Sequence, residues 1–168
     1  MNKKTRSIIY GAIIAAMYFT LTHLQNLLLP GSATWAIQCR LSEVLCILAF
    51  FTPAAIPGLA VGCALFNLSY AGALPLDFLV GTLATLLSAW AMWLTRKVTV
   101  KGWPLLGLTM PALFNALLIG WELTVYIGSS FWFNALCVAI GEAAVLLTLG
   151  IVLFYALKIR KLDTKLFG

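Results

Sequence analysis

From Ser7 to Leu29 the chain runs without an acidic or basic side chain except His23, and apolar stretches of the same kind recur behind it. Each is closed by Pro, Gly or a basic group. About 20 apolar residues suffice for a helix to cross the hydrocarbon of a bilayer. The punctuation divides the chain into six such segments, over 7–29, 37–52, 54–71, 75–95, 104–127 and 131–158. The second and third are short. Thr52-Pro53 with Pro57-Gly58 predicts a tight connection between them, because proline removes a backbone donor and restricts the residue before it.

Composition makes the reading one of a membrane protein. The 168 residues are 62% hydrophobic and 10% charged, with a mean hydropathy of +1.01. So apolar a chain cannot hide its surface in one soluble core. The expected fold is all-α and integral to the membrane: a compact bundle of six transmembrane helices forming a single domain over residues 1–168, with no internal repeat and no soluble domain. The opening MNKKTR followed by an apolar run resembles a secretory signal. Its apolar stretch exceeds the roughly 7 to 15 residues of a signal core, so it is read as the first span.

Charge then sets the orientation. Eleven Lys and Arg against five Asp and Glu could suit a nucleic-acid partner. Their placement argues otherwise. Lys3, Lys4 and Arg6 open the chain, Arg96, Lys97 and Lys101 lie between segments, and Lys158, Arg160, Lys161 and Lys165 close it. Six crossings put both termini and the 96–103 loop on one side, so all three groups become cytoplasmic together, as the positive-inside rule asks. Only Arg40 stands outside them.

With that topology the polar residues sort by depth. His23 is late in the first segment, Arg40 and Glu43 early in the second, Asn67 at the end of the third, Asp77 at the start of the fourth, Glu122 late in the fifth and Glu142 near the middle of the sixth. They converge on the outer half. An Asp at the centre of a membrane helix costs about 2.5 to 3.5 kcal/mol on insertion scales. Arg40 and Glu43, at i and i+3, can pair on one helix face, whereas Glu122 and Glu142 have no obvious basic partner. Either they are protonated or they await a cation or a donor-rich ligand. Trp35 and Trp121 lie close by in sequence, and carboxylates beside flat rings suit a planar heterocycle with N–H donors. Trp132 and Phe133 are equally explained by headgroup depth, and Glu142, Asn67 and Asn115 by helix-to-helix hydrogen bonding. Cys39, Cys46, Cys63 and Cys137 form no CxxC and have one histidine in the chain for company, which points to packing thiols rather than a metal site. Ser42 beside Glu43 is a weak nucleophile signal, since a serine in a span usually bonds backbone. No phosphate-cradling G-x-x-x-x-G-K-[ST] loop is present, so no nucleotide cofactor is expected in this chain.

RLSEVL (40–45), FFTPAAIPGLAVGC (50–63), DFLVGTLAT (77–85), FNALLIGWEL (114–123) and IGEA (140–143) together, and in this order, resemble the QueT family. The resemblance implies a substrate-capturing S component of an energy-coupling-factor (ECF) transporter in a bacterial cell membrane. Such a subunit is no enzyme. It takes a 7-deazaguanine precursor of queuosine (queuine, its aminomethyl precursor, or queuosine) from outside, and it docks on a membrane coupling subunit and two cytoplasmic ATPases that consume the ATP. On that view Arg40, Glu43, Asn67, Asp77, Asn115, Trp121, Glu122, Glu142 and Trp35 line the substrate site. Glu122 and Glu142 would accept the guanine edge and offset the ligand's amine, in an order left open. The resemblance also implies a docking stripe of small residues on the first helix, here Gly11, Ala12, Ala15 and Ala16, although internal helix packing would use the same residue types. The competing reading is a stand-alone proton- or cation-coupled importer of a small cationic heterocycle.

Overall fold

Helix α1 (Lys3–Leu28) begins at Asn2, whose side-chain oxygen accepts the Lys4 N–H at 3.3 Å. This computed structural model describes residues 2–32, 40–70, 72–100 and 103–161. Behind α1 come a 3-10 helix (Leu41–Phe50), α2 (Ala55–Ser69), α3 (Asp77–Thr95), the single turn α4 (Leu105–Leu108), α5 (Met110–Ile127), α6 (Phe131–Val145), a π-helical turn (Leu146–Gly150) and α7 (Ile151–Ile159). Local chemistry accounts for the breaks. Pro111 occupies the first turn of α5, where its missing N–H costs nothing, and Gly128 ends that helix at a left-handed φ of 73°.

Side-chain contacts give each segment its direction. Tyr18 meets Glu43 and Thr22 meets Ser42, so the 3-10 helix runs back along α1. His23 meets Ser69 while Gly11 lies against Gly58, so α2 runs parallel to α1. Asn67 reaches Asp77, Gly120 lies against Ala135, and the sense alternates through α3, α5 and α6. The start of α1, the end of α3 and the end of α7 therefore share one end of the bundle, and with them Lys3, Lys4, Arg6, Arg96, Lys97, Lys158, Arg160 and Lys161.

Among the described residues four helices are long and apolar enough to cross a membrane: Lys3–Leu28, Asp77–Thr95, Leu105–Ile127 and Phe131–Ile159. The other two apolar segments are shorter. Helix α2 has 15 residues, or about 22 Å at ~1.5 Å each. The second segment is wound as a 3-10 helix of 10 residues, which at ~2.0 Å per residue covers about 20 Å, more depth than the same residues would as an α-helix. All of its residues but Leu41 and Val44 are buried. It touches α1, α2, α3, α6 and α7 and forms the spine of the core, with Leu45, Ile47 and Phe50 packed among Ile14, Leu59, Met92, Leu146 and Phe154. A second cluster, Ala84, Ile119, Leu123 and Val138, joins α3, α5 and α6.

Two glycines set how near α1 and α2 come. A Cβ on Gly58 would stand 2.7 Å from the Gly11 carbonyl oxygen, and one on Gly62 would stand 2.8 Å from the Ala15 carbonyl oxygen and 2.8 Å from the Tyr18 Cβ. Backbone cannot yield as a flexible side chain can. Gly62→Ala is therefore expected to push the helices apart and lower stability by about 1 to 3 kcal/mol, the usual cost of overpacking. Thermal unfolding of the purified protein in detergent reads the effect, and an unchanged melting temperature would refute this packing.

Candidate functional site

The buried polar residues begin on the inner face of α1. Tyr18, Thr22 and Gln25 follow at helical spacing, all buried, and each serves the 3-10 helix. The Tyr18 hydroxyl donates to Glu43 Oε1 at 2.5 Å, the Thr22 hydroxyl donates to Ser42 Oγ at 2.8 Å, and Gln25 Oε1 accepts the Leu41 N–H at 2.7 Å, closing the start of that helix. In a 3-10 helix residues three apart eclipse one another. Cys46 consequently sits over Glu43 and its thiol donates to Glu43 Oε2 at 3.0 Å. Both oxygens of Glu43 are thereby held by donors.

Arg40 precedes the same helix and is buried. Its Nη1 lies 3.9 Å from Cys63 Sγ on α2, and Asp77 and Glu43 are both within its electrostatic reach. Asn67 links α2 to α3: its Nδ2 donates to the Asp77 carbonyl at 2.7 Å. Asp77 also closes its own helix start, Oδ2 accepting the Leu74 N–H at 2.9 Å. Gly81 makes room for this junction, since a Cβ there would come within 2.9 Å of Asn67 Nδ2.

Glu122 on α5 and Glu142 on α6 complete the cluster, at 0% and 1% exposure. Asp77 and Arg40 are the charged neighbours of Glu122. Glu142 has Glu43 and the Asn115 amide beside it. These neighbours fall short of hydrogen-bonding geometry, and none of the four carboxylate oxygens of Glu122 and Glu142 has a hydrogen-bond partner among the described residues. Buried polar groups are ordinarily satisfied. The hydroxyl of Ser88 on α3 is buried and also has no partner among the described residues. Arg40, Glu43, Asn67, Asp77, Asn115, Glu122 and Glu142 are thus all buried and drawn from five segments, reaching from the end of the bundle away from the basic groups down to about mid-depth at Asn115 and Glu142.

Of the two aromatic candidates, only Trp121 falls among the described residues. Trp121 is 50% exposed although Glu122 beside it is fully buried; consecutive helical residues point about 100° apart, so a ring next to an acid in sequence is turned away from it. Trp35 lies outside the described residues, as does Cys39. On α1 the small residues divide. Ala15 is buried and Gly11 half-buried against α2, while Ala12 and Ala16 face outward and line a shallow groove with Phe19, Val61 and Leu65. His23 sits apart, hydrogen-bonded to Ser69 at 2.8 Å between the rings of Phe19 and Phe66. Among the described residues no group of His, Cys, Asp and Glu could hold a metal ion.

Tyr18, Cys46, Cys63, Thr22 and Gln25 belong to the network without having been expected there. The spacing of Tyr18, Thr22 and Gln25 along one face of α1 was the available signal. For the thiols there was none, because a buried cysteine packs equally well as an apolar residue.

Residues 8–159 match the family model described as QueT transporter. Neither the curated proteins nor the solved structures contain a match to this chain.

Proposed function

Because this chain belongs to the QueT transporter family, we propose that it is the substrate-capturing S component of an ECF-type importer, taking a 7-deazaguanine queuosine precursor from outside the cell. Six crossings with both termini cytoplasmic belong to the same proposal, supported by the alternating segments and the shared end of the basic groups. The observation that carries it is the acid cluster. Of five acidic residues in the chain, Glu43, Asp77, Glu122 and Glu142 are buried around a single arginine. A scaffold gains nothing from carboxylates held out of water without donors. A ligand with N–H groups along one edge and an ammonium on its arm supplies both missing partners.

Delivery to the cytoplasm then needs energy from elsewhere. The sequence holds no phosphate-binding loop, and the reading assigns ATP hydrolysis to two partner ATPases joined through a membrane coupling subunit. Ala12 and Ala16 support the docking part of this scheme, since they leave a small-residue stripe of α1 turned outward, where a second helix can approach closely. Gly11 and Ala15 are occupied against α2.

Uptake of radiolabelled queuine in cells with and without the ATPase module tests the reading. Uptake is expected to vanish without the module and to persist when the proton gradient is collapsed with ATP maintained. The reverse pattern would make the protein a proton- or cation-coupled carrier instead, a role for which buried membrane acids are also suited.

A further inference from the structure

The two unsatisfied glutamates stand in different company. Helix α5 carries Asn115, Ile119 and Glu122 on one buried face. Seven residues are close to two full turns, so Asn115 and Glu122 point the same way about 10 Å apart along the axis. Ile119 lies between them, packed in the apolar cluster with Ala84, Leu123 and Val138. Helix α5 therefore presents two polar stations separated by an apolar wall.

At the outer station Glu122 faces Asp77, with Arg40 as the charged neighbour of both. Asp77 Oδ2 already accepts the Leu74 N–H, but Glu122 receives no hydrogen bond. Two carboxylates side by side are acceptors only, and like charges at that range favour a cation or a shared proton. At the deeper station Glu142 has the Asn115 amide beside it and Arg40 and Glu43 as charged neighbours. The oxygens of that Glu43 are already held by Tyr18 and Cys46. What the deeper station offers is one open carboxylate next to one amide, acceptors beside a donor.

The geometry points to a division of labour: Glu142 with Asn115 reads the edge of the base, and Glu122 with Asp77 holds the ammonium of its side arm. This rests on the proposed function and names the groups that set its specificity. The edge of a 7-deazaguanine carries two adjacent N–H donors and a carbonyl oxygen. A carboxylate accepts the two donors in bidentate fashion, and an amide N–H can donate to the carbonyl. An alkylammonium has donors only, so it matches a pair of carboxylates and gains nothing from an amide N–H. The apolar wall at Ile119 and Ala84 suits the ring between the two ends.

Calorimetric titration of the purified full-length protein with 7-aminomethyl-7-deazaguanine, 7-cyano-7-deazaguanine and unsubstituted 7-deazaguanine tests the division. Glu122→Gln removes a charge but keeps the shape. It is expected to weaken the aminomethyl compound by about tenfold or more, the scale of one charge-assisted contact, and to leave the cyano and unsubstituted bases within about twofold. Asp77→Asn should show the same selective loss. Glu142→Gln is expected to weaken all three by a similar factor, and Asn115→Ala should do likewise. The retained binding of the unsubstituted base is itself the folding control for Glu122→Gln. Equal losses across the three compounds in Glu122→Gln and Asp77→Asn, or a loss confined to the aminomethyl compound in Glu142→Gln, would overturn the division while leaving the proposed function standing. A wild-type protein that binds none of the three, nor queuine titrated beside them, would remove the proposed function itself.

Discussion

Arg40→Met is expected to lower stability by about 3 to 5 kcal/mol, the cost of stranding buried charge once its partner is removed. Arg40 is buried and stands within reach of Asp77 and Glu43, and its charge also bears on Glu122 and Glu142. Methionine fills much of the same volume and stays apolar, so the loss would report charge more than packing. Folded yield in detergent and the thermal midpoint measure it. Arg40→Lys separates charge from shape: lysine keeps the positive charge without the planar fork, and should recover part of the midpoint but not all of it. A midpoint for Arg40→Met within a degree or two of wild type would mean that the carboxylates around it do not depend on its charge.

The second large effect is expected at Tyr18. Its hydroxyl is buried and donates to Glu43 at 2.5 Å across the interface between α1 and the 3-10 helix. Removing one partner of a buried hydrogen bond costs about 1 to 3 kcal/mol, because the oxygen left behind loses its compensation for desolvation. Tyr18→Phe removes only the oxygen and should cost that amount. The pair Tyr18→Phe with Glu43→Leu should cost less than the sum of the single substitutions, because the double variant leaves no orphaned carboxylate. Strict additivity in that cycle would show that the contact contributes nothing to the fold.

Neither residue stood out equally in the amino-acid order. Arg40 and Glu43 were conspicuous as charges in an oily stretch, and their spacing suggested a mutual pair. In the folded chain Arg40 has both Glu43 and Asp77 in range and reaches toward Cys63, while the hydrogen bonds to Glu43 come from Tyr18 and Cys46. The reason is the 3-10 winding of residues 41–50: it aligns Cys46 over Glu43, while α1 brings Tyr18 alongside. A tyrosine in an apolar helix gives no hint of such a partner. Trp121 is adjacent to Glu122 along the chain, and the helical turn between them sends its ring outward, half exposed. Gly58 was read with Pro57 as part of a tight connection, yet its missing Cβ, like that of Gly62, is what allows α1 and α2 to touch.

By itself the amino-acid order determined that the protein is an all-α membrane protein of apolar segments, where those segments begin and end within a few residues, and that its basic groups fall at alternate junctions. Hydrophobic run length and charge placement are properties of the chain alone, and the bilayer imposes them segment by segment. It also marked the acids as costly, since burial of a carboxylate in an apolar segment needs no neighbour to be recognised as a penalty. Tertiary structure alone decided which acids are satisfied. Donors for Glu43 come from α1 and from one turn further along its own helix, whereas the oxygens of Glu122 and Glu142 receive none. A hydrogen bond is settled within a few tenths of an ångström between groups far apart in sequence, and only the packing of helices against one another fixes distances that small.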